Sequence, residues 1–116
     1  MNTIREWQKA MYEIAKSKGF HENETLFNIN VPEKLALVHA EISEALEAYR
    51  DPDMREQGPI FTDLATGKPE GFTVELADAV IRILDLCGAL NLDLESAMRM
   101  KAEYNKTRPY KHGKLF

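Results

Sequence analysis

At 116 residues, 44% of them hydrophobic and 29% charged, the chain has the make-up of one soluble globular domain (1–116) and is too short to expect two. A net charge of −4, from 15 basic and 19 acidic residues, gives no broad electrostatic footprint for nucleic acid. With a single cysteine, no secretory leader and no run of about 18 apolar residues, the expectation is a cytoplasmic protein with no disulfide within the chain and no membrane partner.

Thr3 and Glu6 have capping-box spacing, which starts a first helix at Asn2 or Thr3. It runs to near Lys18, where Gly19 offers a left-handed cap. Ile4, Trp7, Met11, Ile14 and Ala15 form its apolar stripe, with Gln8 and Tyr12 on the border. Residues 20–30 set Asn, Glu and His between two phenylalanines and read as a loop. A second helix opens at Asn30, with Pro32 in its first turn and Glu33 completing the cap, and stops at Asp51-Pro52 after about Arg50. Leu35, Val38, Ile42, Ala45, Leu46 and Tyr49 make its core stripe. Beside that stripe lie Lys34, Leu37, Glu41, Glu44 and Ala48, whereas Glu33, Ser43, Glu47 and Arg50 fall on solvated angles.

Residues 51–72 hold three prolines and three glycines and read as a long connection, with a short turn at Ala65–Lys68; structureless loops of that length in a small domain are often functional. Strand signals are weak throughout. The third helix spans about 73–90, with Thr73 as candidate N-cap. Glu75, Asp78, Arg82 and Asp85 share one narrow face of it, and Leu76, Val80, Ile81, Ile83, Leu84, Cys87 and Leu90 cover most of the rest. Cys87 on that apolar side reads as a buried structural thiol. A helix so widely apolar packs on several sides, so its acidic stripe faces a cleft and calls for a cation. Asp93 caps a fourth helix, about 94–107, ended by Arg108-Pro109. The fold class is all-α, a bundle of four main helices.

Glu41 and Glu44 are three apart on one helix, and Glu75 and Asp78 repeat that spacing on another. If the two helices pack antiparallel, four carboxylates converge, more negative charge than a crevice holds without divalent cations. Oxygen ligands without His or Cys pairs favour Mg²⁺, with Mn²⁺ as substitute. Glu-x-x-Glu alone is common on solvated helix faces; two such pairs, each beside an apolar stripe, are what raises the metal reading. A ferritin-like di-iron site would use Glu-x-x-His, and His39 stands two residues before Glu41 on a different angle. On the fourth helix Lys101 and Asn105 share a face with Leu94, Ala97 and Met98, an inward side where packing alone would not put them. With Arg108 they are candidates for an anion, as is Lys34 two turns before Glu41; snorkelling lysine stems are the structural alternative.

Glu41-x-x-Glu44 followed by Glu75-x-x-Asp78, the Lys34–Glu41 and Glu75–Arg82 segments and the ending Lys101…Asn105…Arg108-Pro109-Tyr110 together resemble the MazG-type all-α nucleoside triphosphate pyrophosphohydrolases, over about residues 30–116. The fuller family motif is Glu-Glu-x-x-Glu, and here Ala40 precedes Glu41. The resemblance implies hydrolysis of a nucleoside triphosphate to monophosphate and pyrophosphate, with Mg²⁺ on Glu41, Glu44, Glu75 and Asp78. It implies triphosphate contacts from Lys101, Asn105 and Arg108, and a homodimer or homotetramer with sites completed across subunits. Trp7, Gln8, Tyr12 or the 20–30 loop are candidates for contacting the base, with core packing as the alternative for Trp7. A reading of another class is a non-enzymatic helical oligomerisation module with a structural divalent metal.

Overall fold

Side-chain caps start three of the helices where the sequence predicts them. In the computed structural model, which describes residues 1–116, Thr3 Oγ1 accepts from the Glu6 N–H at 3.1 Å and opens α1, Ile4–Ser17. Asn30 Oδ1 accepts from the Glu33 N–H at 3.1 Å and opens α2, Val31–Arg50, with Asp51 as its C-cap. The chain then forms a short helix α3, Asp53–Gln57, and a two-stranded antiparallel ribbon, β1 (Phe61–Thr62) with β2 (Pro69–Glu70). Helix α4 covers Phe72–Ala89, and α5, Leu94–Lys106, follows an Asp93 cap whose Oδ1 accepts from the Ser96 N–H at 3.1 Å.

Two expectations are corrected here. The 51–72 connection is not structureless: it folds into α3 and the ribbon, paired Phe61 with Glu70 and Thr62 with Pro69. Helix α4 is not capped by Thr73. Its N-cap is Gly71, at φ +117, with no side-chain bond, and the Thr73 N–H instead donates to the Pro59 carbonyl at 3.0 Å. The orphan donor of the helix start is thus satisfied by the neck of the ribbon rather than by a hydroxyl. A Cβ at Gly71 would lie 2.5 Å from that same carbonyl oxygen, so only glycine allows this approach.

Helix α4 is the central element, and the contacts fix its direction. On one flank the Tyr49 ring meets Phe72, Glu44 lies beside Glu75, and Glu41 meets Arg82, so α2 runs antiparallel to α4. On the other flank His21 meets Asp85, Tyr12 packs on Gly88, and Gln8 bonds Leu92, so α1 is antiparallel to it as well. Helix α5 packs chiefly against α1. The expected four-helix bundle is therefore all-α but not closed within one chain.

Its apolar stripes are left uncovered for the same reason. Nine of the 116 residues are buried, the apolar ones being Met11, Ala45, Ala79, Leu84, Leu86 and Cys87. Predicted core residues Trp7, Ile14, Leu35, Ile42, Leu46 and Tyr49 are exposed, as are Leu76, Val80, Ile81 and Ile83 of α4. The accessible surface of 9154 Å² exceeds by about 2,700 Å² the value expected for a folded monomer of this mass. The radius of gyration of 17.0 Å likewise exceeds the roughly 13 Å of a compact chain of this length.

The α1–α4 contact is close because Gly88 has no side chain: a Cβ there would lie 2.5 Å from Tyr12 Cβ. Gly88→Ala, which would favour an isolated helix, is expected to destabilise this fold by about 1–3 kcal/mol through overpacking. Chemical denaturation measures it, and an unchanged or raised midpoint would refute the close contact.

Candidate metal centre

The antiparallel packing of α2 on α4 brings the two acid pairs together. One carboxylate oxygen each from Glu41, Glu75 and Asp78 lies within 4.8 Å of the others. Glu44 joins them, its carboxyl group in hydrogen-bonding proximity to that of Glu75. The i,i+3 spacing on each helix is what projects each pair to one side.

Glu41 is only 8% exposed. Its Oε1 accepts from Arg82 Nε at 2.7 Å, so the cation sought for the acidic stripe comes in part from that stripe itself. The other oxygen of Glu41, and Oε2 of Glu75, are buried and have no hydrogen-bond partner. Buried polar atoms are seldom left unpaired, and two carboxylate oxygens in that state in one crevice could serve as ligands to a divalent cation. Burial pushes the Glu75 carboxyl above its ordinary range, helped by the contact with Glu44 and then by the charges of Asp78, Glu44 and Glu41. Burial also raises Asp78, and Glu41 adds to it, while Arg82 and Lys68 act in the opposite direction. All donors are oxygens, which suits Mg²⁺ or Mn²⁺.

The remaining predicted residues go elsewhere. Asp85 leaves the stripe: it meets His21 Nε2 at 2.6 Å, while His21 Nδ1 meets Glu24 at 2.8 Å, which pins the 20–30 loop to α4. Lys34 faces that same Glu24 at 3.5 Å, so its ammonium pairs with the loop. The Gln8 amide donates to the Leu92 carbonyl at 2.8 Å and fastens α1 to the α4–α5 turn. Tyr12 stacks on His21 with centroids 4.8 Å apart. Trp7 is 40% exposed and its side chain makes no aromatic-ring contact or hydrogen bond, contrary to simple core packing. Lys101 and Arg108 lie over the Tyr104 ring at 5.0 and 5.5 Å, and neither they nor the exposed Asn105 bonds any of the four acids within the chain.

Comparison of the chain with protein families, with curated proteins and with solved structures finds no match. Sequence reasoning overlooked Lys68, which approaches Asp78 from the loop of the ribbon; its signal was the turn sequence Gly67-Lys68-Pro69 between short extended segments.

Because the fold raises Glu75 and Asp78, their ionised forms oppose folding when no metal is bound. That penalty is complete above the raised folded values and vanishes below the ordinary carboxylate pKa of about 4, where folded and unfolded chains are both protonated. Asp78→Asn is therefore expected to melt above the unsubstituted protein at pH 7 in chelator, with the difference closing towards pH 3. Equal melting temperatures at pH 7 would contradict charge strain at this cluster.

Proposed function

We propose that the chain is a Mg²⁺-dependent nucleoside triphosphate pyrophosphohydrolase of the MazG-like type, releasing nucleoside monophosphate and pyrophosphate. The observation that carries this reading is the meeting of Glu41, Glu75 and Asp78 oxygens within 4.8 Å, two of the three residues having a buried unpartnered oxygen. In this reading Glu41, Glu75 and Asp78 hold the ion, and Arg82 fixes the orientation of Glu41 through its 2.7 Å bond. Bound there, Mg²⁺ or Mn²⁺ would supply positive charge for the triphosphate and acidify a water. Glu44, beside Glu75 and outside the three-oxygen cluster, is the base that takes the proton of the attacking water. The water oxygen bonds to the α-phosphorus, the bond from that phosphorus to the α,β-bridging oxygen breaks, and pyrophosphate leaves with the electron pair. Lys68, the cation facing Asp78, meets phosphate oxygens.

Lys101, Asn105 and Arg108 enter the same reading through a second copy. Within one chain, α5 is tied to α1 by Arg5, which pairs with Asp93 at 3.1 Å and Glu95 at 2.9 Å. The excess accessible surface of about 2,700 Å² per chain is of the size that obligate interfaces cover, which supports a homodimer or homotetramer. No helix is long and apolar enough to cross a membrane.

The test is turnover of a nucleoside triphosphate panel with Mg²⁺, with products resolved as pyrophosphate or orthophosphate. Monophosphate plus pyrophosphate is expected, with Glu75→Gln at least about a hundredfold slower and still helical by circular dichroism. Orthophosphate as product would overturn the mechanism. No turnover with Mg²⁺ or Mn²⁺ would favour the helical oligomerisation module with a structural metal.

A further inference from the structure

Beside the acidic cluster lies a hollow of about 670 Å³, within the range of small-molecule sites. Its walls are the end of α2, helix α3, the β1–β2 ribbon and the first turn of α4. The far wall is built rather than slack. The ribbon is closed at its neck by the Gly71–Pro59 approach and by the Thr73 N–H bond to the Pro59 carbonyl. At its tip the Gly67 N–H donates to the Asp63 carbonyl at 2.7 Å, and the Ala65 N–H donates to Asp63 Oδ1 at 2.9 Å. The ribbon makes no contribution to the buried core, so its order calls for another purpose.

Three features specify an occupant. Glu75 lines the hollow and also belongs to the acidic cluster, so one ligand can reach both. Met54, Phe61 and Phe72 give the hollow apolar and aromatic surface. Around them stand Asp51, Asp53, Asp63 and Glu70, none of which forms an ion pair, and the side chains of Glu70 and Gln57 make no hydrogen bond. Four uncompensated carboxylates repel a polyphosphate, so the triphosphate end of a nucleotide is excluded and the uncharged end is admitted. Aromatic faces take a base by stacking, and free carboxylate oxygens accept from exocyclic amino groups. Leu64, at the ribbon tip, is 95% exposed while lining the mouth, an apolar side chain with no cover in the chain itself.

We propose that the ribbon hollow is the seat of the substrate's nucleobase, stacked on Phe61 and Phe72, with Glu70 selecting bases that carry an amino group. This rests on the nucleotide hydrolase reading for its triphosphate, but not for base binding itself. It places base recognition on the 51–72 segment rather than on α1, where Gln8 bonds the Leu92 carbonyl and Tyr12 packs on His21.

Two measurements separate the two claims. Saturation-transfer NMR of cytidine, adenosine and uridine, which carry no phosphate, against the metal-free protein should show cytidine and adenosine bound in preference to uridine. Phe61→Ala should abolish these signals, and Glu70→Gln, which keeps size and ribbon register, should remove the preference. In turnover, Glu70→Gln should shift the ratio of kcat/KM for CTP over UTP by about tenfold towards UTP. Nucleoside binding without triphosphate turnover would uphold the hollow and sink the hydrolase. Pyrophosphate-releasing turnover with nucleoside signals and base ratio unmoved in both variants would uphold the hydrolase and sink the hollow.

Discussion

Where α2 and α4 pack, four carboxyl groups meet and only one guanidinium, that of Arg82, bonds to any of them. Two like charges at 4.8 Å repel by roughly 3 kcal/mol at an effective dielectric of about 20, and this crevice holds several such pairs. A fold that needed α2 and α4 only as packing partners would gain from leucine or alanine at these positions. The acids instead lie at the one place where the central helix meets its longest neighbour, directed by i,i+3 spacing on both sides. Charge that opposes folding, placed on rigid helices, is what supports the proposed cation site.

The rest of the chain can be understood as support for that seam. Helix α1 and the 20–30 loop hold the far side of α4 through the Tyr12–Gly88 contact, the Gln8–Leu92 bond and the His21 bridge to Asp85. The ribbon neck fixes the start of α4 next to Glu75. What the chain does not do is cover itself. Ile42, Leu46, Val80 and Ile83 are apolar, helical and exposed, and their continuity along α2 and α4 suits burial against another copy. The acid seam is formed within the chain, and the exposed apolar faces beside it are what supports the proposed homo-oligomer.

Much of this was legible in the residues. Thr3, Asn30 and Asp93 announced three helix starts because a cap is a local hydrogen bond, decided within four residues. The two acid pairs were legible because helical periodicity sets direction without knowledge of the fold. The ribbon was missed because its strands are two residues each and are held by Gly71 and Pro59, a contact across twelve positions that no local propensity encodes. The contacts of Gln8 and Lys34 were not legible for a related reason: residue type identifies a donor, but only packing shows that Leu92 and Glu24 lie against it. Apolar periodicity marked stripes on α1, α2 and α4 as core, but Trp7, Ile14, Leu35, Ile42, Leu46 and Val80 of those stripes are exposed, because periodicity gives the direction of a side chain and not what packs against it.

The claim on which the account turns is that the seam of Glu41, Glu75 and Asp78 binds a divalent cation, and Mn²⁺ binding followed by electron paramagnetic resonance tests it without reference to any substrate. Titration of the metal-free protein should show free Mn²⁺ signal suppressed at a stoichiometric site, released by Mg²⁺ in competition, and restored to the free form by Glu41→Gln or Asp78→Asn. Mn²⁺ that remains free in the presence of the folded, unsubstituted protein, or that binds equally well to both variants, would contradict it.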